Sequence, residues 1–287
     1  MATEKLSALI NLLDDPDREV YSAVSMQLLN QGEQIIPELE EAWENSPNEL
    51  IQLHIEDILQ RIQLNSAYNG LKNWIDTGAE DVLLGAYWVA RHQYPELSFK
   101  PMERTIDKIK NSIWLELNDE LTALEKIRIV NHFIYEVYNF SEEKNFMKPA
   151  YCFINHVVDT HKGNPVSMAV IYIAVCQRLD LPVYGLCIPR NFLAAYHDTL
   201  LSRVLFYINP FFRGTPLSRA DIEMYFKQMD VIAKDKYFLP RSNKATILRL
   251  IETLIYIYEQ DNNVKKADIY KGLIPLFKNE QTYFQED

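Results

Sequence analysis

From Val166 to Cys176 the chain is apolar on nearly every side of a helix, and this run constrains the fold more than any other feature. A helix with no polar face must be covered on most sides, so it belongs at the centre of the structure. Asn164 is suited to cap it and Pro165 to its first position, where the missing N–H is no loss. The polar turn His161-Lys162-Gly163-Asn164-Pro165 precedes the helix, which is expected to end near Asp180. Val183–Ile188, Phe192–Tyr196 and Val204–Ile208 follow, rich in β-branched and aromatic residues and divided by turn residues. They read as strands of an antiparallel sheet. The expected class is α+β, mostly helical overall.

The flanks are helical. Leu6, Leu9, Ile10 and Leu13 recur at helical spacing before Asp14-Asp15-Pro16-Asp17 breaks the helix and recaps the next one. Val20, Val24, Leu28 and Leu29 mark that second helix, which ends at Gln31-Gly32, and Ile35–Trp43 and Leu50–Ile62 supply another pair. Short helices joined by tight turns resemble a HEAT-type array. Leu71–Tyr138 stays helical, with a break bracketed by Pro95 and Pro101, and Ser141–Pro149 reads as a loop. Arg219–Gln228 is another helix. Beyond Pro240, Leu248, Ile251, Leu254, Ile255 and Tyr258 mark one helix, and Ala267, Tyr270, Leu273 and Ile274 a second. That hairpin looks like a single tetratricopeptide-type unit, which cannot bury its own face and so is expected to pack against the central domain. The domains are drawn at 1–66, 67–240 and 241–287, with a frayed tail from Lys278.

Charge and cysteine usage exclude several classes. A net charge of −11 gives a surface that repels phosphate backbones, so nucleic acid is not expected as a partner. No apolar run is long enough to span a bilayer, and Met1-Ala2-Thr3-Glu4-Lys5 lacks a basic-then-apolar signal pattern. No membrane partner and a cytoplasmic location follow as expectations. Cys152, Cys176 and Cys187 are odd in number and unpaired in spacing, which argues against a disulfide framework or a Cys-based zinc site. No cofactor and no metal are expected.

Four phrases occur in a fixed order: Phe153-Ile154-Asn155-His156-Val157-Val158, Gly163-Asn164-Pro165-Val166-Ser167-Met168-Ala169, Ile188-Pro189-Arg190-Asn191-Phe192-Leu193 and Asn209-Pro210-Phe211. Their order and spacing resemble the transglutaminase-like superfamily, in its SirB-type bacterial branch. There the phrases run F-L-N-x-V-L-x-x-R-x-G-x-P-I-S-L-A, L-P-G-H-F-L and D-P-F. The resemblance covers roughly residues 100–220. It implies a papain-like α+β central domain with its antiparallel sheet against the Val166–Leu179 helix, flanked by the helical repeat-like units.

The resemblance also implies where chemistry would sit. Active members of the superfamily use a Cys–His–Asp arrangement, with the Cys at the N-terminus of the central helix, where the dipole favours its thiolate. The His moves the proton and the Asp fixes its tautomer. Those three positions fall on Pro165, Asn191 and Asn209 in this sequence. Proline there belongs to the branch, whereas the two amides are departures of this chain. None of the three can act as nucleophile, base or charged orienter, so no catalytic residue is expected. The three positions should converge at one end of the central helix, with Asn191 and Asn209 within hydrogen-bonding reach of each other. Asn155, Gly163, Asn164, Ser167, Phe192 and Phe211 are the groove candidates.

The expected function is therefore a catalytically inactive transglutaminase-like protein that binds an unidentified protein or peptide. The alternative is a cysteine-dependent hydrolase or amide-processing enzyme with a remodelled site, using Cys152 or a His197–Asp198 pair. Cys176 and Cys187 read as core, Ser167 as a capping hydroxyl, and His156 and His161 are badly spaced for a shared metal. Trp74, Trp88 and Trp114 are assigned mostly to core.

Overall fold

The computed structural model describes residues 2–198, 200–278 and 280. Two units are present: Met1–Gly70 with Arg91–Pro95, and Leu71–Ala90 with the chain from Glu96 onward. The first holds α1 (Ala2–Asn11), α2 (Arg18–Leu29), α3 (Ile36–Asn45) and most of α4 (Glu49–Asp76). Its core is built from Leu6, Ile10 and Leu13, Val24 and Leu28, Leu39, and Ile55, Ile58 and Ile62. Between α1 and α2, Pro16 cannot continue a helix and the Asp17 carboxylate accepts the Glu19 N–H at 2.8 Å, which caps α2. Helix α4 runs unbroken through residues 66 and 67, and the division between units falls four residues later. No proline interrupts it, and Ala67 and Leu71 are buried on the way.

The second unit begins with the end of α4 and continues through α5 (Val82–Arg91) as far as Ala90, then α6 (Phe99–Trp114) and α7 (Ala123–Asn131), which runs on into a π-helical turn at His132–Val137. Two short pieces pair in parallel, β1 (Ser141–Glu142) and β2 (Lys162–Gly163), around α8 (Ile154–Thr160). Then comes α9 (Pro165–Arg178), in which every residue from Val166 to Cys176 is buried. Strands β3 (Val183–Ile188), β4 (Asn191–Asp198), β5 (Arg203–Asn209) and β6 (Thr215–Leu217) form an antiparallel sheet in that order. Helix α10 (Arg219–Gln228) follows, then α11 (Asn243–Gln260) and α12 (Val264–Lys271).

The alternation of the strands divides the sheet between two cores. Val183, Cys187, Phe192, Ala194 and Ile208 join the core around α9. Leu186, Ile188, Leu193, Ala195 and Tyr207 face the other way, onto Ile222 and Phe226 of α10 and onto Phe238. The all-round apolar helix is thus covered by β3 and β4 on one side and by α6, α8 and α11 on the others. The helical hairpin beyond residue 240 shares this core, since Ile247, Leu248, Leu250, Ile251 and Leu254 of α11 are buried in it. Its second helix stops at Lys271, and Pro275 lies in a 3-10 turn beyond it. Of the tail, only Lys278 and Glu280 fall within the described residues. The architecture is a mostly helical α+β fold with an antiparallel sheet against a central helix, as expected. Trp74 is core and Trp88 is packed at its edge, but Trp114 is 62% exposed, because it follows the last buried position of α6, Ile113.

Candidate functional site

The head of α9 is tied down before any ligand is considered. The Asn164 carboxamide oxygen accepts the N–H groups of Val166 at 3.0 Å and Ser167 at 2.9 Å. In return the Ser167 hydroxyl accepts the Asn164 N–H at 3.0 Å and donates to the Tyr151 carbonyl at 2.6 Å. This is a complete capping box with proline at the first helical position. Gly163 leaves no room for a side chain, since a Cβ there would lie 2.5 Å from the Ser167 hydroxyl oxygen that completes the capping box, and 3.2 Å from Met168 and Val157.

A cleft of about 400 Å³ opens beside this helix end. Pro165 and Asn191 both line it, together with Asn164, Val166 and Phe192. Asn191 opens β4, and its amide oxygen accepts the Phe192 N–H at 2.8 Å. Asn209 is not among the lining residues. Its amide oxygen accepts the Phe212 N–H at 3.2 Å and its carbonyl the Gly214 N–H at 2.9 Å, so it caps the 3-10 turn Pro210–Phe212. The two amides are not hydrogen-bonded to each other; each oxygen instead accepts an N–H within its own turn.

The groove candidates divide likewise. Asn164 and Phe192 line the cleft, whereas Asn155, Gly163, Ser167 and Phe211 do not. Phe211 is core, meeting the cleft residue Phe146 edge-on at 5.2 Å between ring centres. Asn155 stands in the first turn of α8 with its amide oxygen buried and without a hydrogen-bond partner. Ser167 is consumed by capping.

The remaining reactive groups lie elsewhere. Cys152 is fully buried beneath the head of α9, where the Asn164 amide donates to its sulfur at 2.8 Å. Burial pushes this thiol up to about 12, against the smaller opposing pull of that hydrogen bond. Burial also raises Cys187 to about 12, and Cys176 in the same direction. His197 packs edge-on to Tyr184 at 6.2 Å, while Asp198 accepts the N–H groups of Leu200 and Leu201, so these two do not form an acid–base pair. His156 packs against Tyr151 and His161 stacks on Phe140, with His161 in the left-handed conformation that closes α8. Among the described residues no three His, Cys, Asp or Glu side chains are grouped to hold a metal ion.

Phe146, Met147, Thr253 and Tyr256 line the cleft without having been singled out from the sequence, and so do two charged residues, Arg190 and Arg249. Arg190 sits in the β3–β4 turn, with φ 59°. Arg249 lies on α11 at 8% exposure, with the Glu252 carboxylate, itself 6% exposed, 3.9 Å from its guanidinium. The signal was present as an Arg and a Glu three apart within the apolar run Ile247–Ile257, since a charge on a buried face requires a partner.

Comparison with known proteins gives the family. Residues 100–252 match the family model described as the transglutaminase-like superfamily. A UPF0162 protein of Xylella fastidiosa strain Temecula1 is 24% identical over 214 residues, covering 70% of this chain and 74% of that protein. Its counterpart in strain 9a5c is 23% identical over 202 residues, or 67% and 70% of the two chains. A UPF0162 protein of Pseudomonas aeruginosa is 28% identical over 109 residues, 38% of this chain and 40% of its own. No solved structure matches the chain. The matched segment spans α6 through the first half of α11 and so contains the central helix, the sheet and the cleft. The chain belongs to the transglutaminase-like superfamily.

Proposed function

We propose that this is a catalytically inactive protein of the SirB-type branch, which uses the cleft beside α9 to bind a peptide or protein in the cytoplasm. Its N-terminal helices act as a HEAT-like unit and its C-terminal hairpin as a tetratricopeptide-like one. The observation that carries the reading is the pair that faces the cleft: Pro165 has no nucleophilic atom and Asn191 has no titratable one. The buried cysteines support it, because a thiol whose ionisation is opposed by burial is not poised for attack. Nothing favours the cysteine-dependent alternative, since Cys152 lines no part of the cleft.

The test is turnover of a panel of peptide and glutamine-amide substrates. Wild type, Pro165→Cys, Asn191→His and the double variant are expected to stay near background. General acid–base help is worth roughly 10²–10⁴-fold and triad members act as a unit, and Asn209 supplies no charge behind a restored imidazole. Clear wild-type turnover abolished by Cys152→Ala would overturn the reading.

A further inference from the structure

We propose that the N-terminal unit docks a basic amphipathic helix of a partner protein, in the groove between α1, α3 and the start of α4. The inference does not rest on the reading of the cleft beside α9, because every residue that lines the groove belongs to the first unit.

The chain concentrates its charge in this unit. Of a net charge of −11 in the whole chain, residues 1–70 carry −10, with thirteen acidic side chains against three basic ones. Helix α3 is built against its own electrostatics. It carries Glu38, Glu40, Glu41 and Glu44, and no basic residue in its last turn. Glu40 and Glu44 stand one turn apart, as do Glu38 and Glu41, and like charges at that spacing repel. Glu41 and Glu44 also lie toward the negative end of the helix dipole, where a cation is favoured. Among the described residues neither Glu38 nor Glu41 has an ion pair or a side-chain hydrogen bond. A row of carboxylates that opposes its own helix is complementary to positive charge brought from outside.

The groove gives that charge a shape. It encloses about 560 Å³, and its lining includes Leu6 and Ile10 of α1, Glu38, Glu41 and Ala42 of α3, and Ile51 of α4. Leu6 and Ile10 are buried while both carboxylates are exposed, so the floor is aliphatic and the rim anionic. Leu6 and Ile10 are one turn apart, as are Glu38 and Glu41, so the lining repeats at the spacing of a helix surface. An incoming helix with aliphatic residues on one face, and Lys or Arg beside them, matches both rows. From Glu38 to Asn45 the groove follows α3 for about 10 Å, or about two turns of such a helix. Other cations fit less well. A metal ion needs carboxylates gathered round a point, and these are strung along one helix. A polyamine would leave the aliphatic floor uncovered.

Fluorescence anisotropy with the full-length protein tests this, using three labelled peptides of equal length. One is a helix with Leu on one face and Lys on the other, one has the same composition scrambled so that no apolar face forms, and one has Glu in place of Lys. The first is expected to bind, the scrambled peptide at least roughly ten-fold more weakly, and the Glu peptide not at all. The double variant Glu38→Gln/Glu41→Gln should weaken the first peptide roughly five-fold, the range of two exposed ion pairs. Glu19→Gln/Asp57→Asn removes the same charge from exposed positions outside the groove, and should leave affinity within roughly two-fold. The groove variant should keep or raise the urea midpoint, since it relieves repulsion within α3. No binding of the amphipathic peptide, or equal binding of its scrambled form, would overturn the proposal. So would equal losses in the two double variants, which would reduce the surface to a diffuse negative field, or a lowered urea midpoint in the groove variant, which would assign the two carboxylates to the fold.

Discussion

Asn164 serves four groups at once: two backbone N–H donors at the head of α9, the Ser167 hydroxyl through the capping box, and the Cys152 sulfur. All of them are buried, so water cannot replace a lost partner. Asn164→Ala should therefore lower stability by more than the ~1 kcal/mol of an exposed cap, reaching about 2–3 kcal/mol. Urea unfolding checks this, and a loss below about 0.5 kcal/mol would show that the cap does not hold the helix end. The buried thiols give a second expectation at this scale. A disulfide reagent such as Ellman's should leave all three cysteines untouched in the native protein and modify all three after denaturation. Rapid reaction of one native thiol would reveal a cysteine more accessible than the structure has it. The local chemistry of Asn164, Pro165 and Ser167 was legible in the sequence because a cap depends only on neighbours a few positions away. The role of Asn209 was not, since the same amide could bond across the sheet or within its own turn. Arg249 was missed because the side of α11 that becomes buried is decided by tertiary packing.

Among the elements, α5 shows how packing overrules propensity. Gly85 lies mid-helix, where alanine ordinarily gains about 0.5–1 kcal/mol. A Cβ there would stand 2.6 Å from the Trp74 ring and 2.8 Å from Ile247. Overpacking a filled core costs about 1–3 kcal/mol, so the substitution Gly85→Ala should be destabilising on balance. A raised melting temperature would show that Trp74 can move aside. The long helices and the six- to eight-residue strands β3, β4 and β5 were legible because they run for several periods of their pattern. The pieces β1, β2 and β6, at two or three residues each, carry no periodicity to read. Helix α4 hid the boundary between units, because a continuous helix leaves no turn residues to mark it.

For the molecule as a whole, the buried thiols and phenols make alkaline pH the vulnerable side. Burial raises Cys152 and Cys187 to about 12 and holds Tyr135 and Tyr172 well above their ordinary value. A group whose folded pKa is raised contributes stability that is fully present below its unfolded value and is lost as pH climbs toward the folded one. The window runs from about pH 9, near the unfolded thiols, to about 12. The urea midpoint should hold between pH 7 and 8.5 and fall steeply by pH 10.5; a flat profile would mean these groups are hydrated in the native state. The central helix carries one more consequence, for synthesis. A ribosome delivers α9 and its sheet well before α11, the helix that closes the remaining side. Until the last part of the chain emerges, the nascent protein holds a greasy rod with one flank open to solvent, a binding site for holdase chaperones and a seed for aggregation. A chain stopped at Pro240 should therefore pellet on expression, while the full-length chain, given its final hairpin, does not.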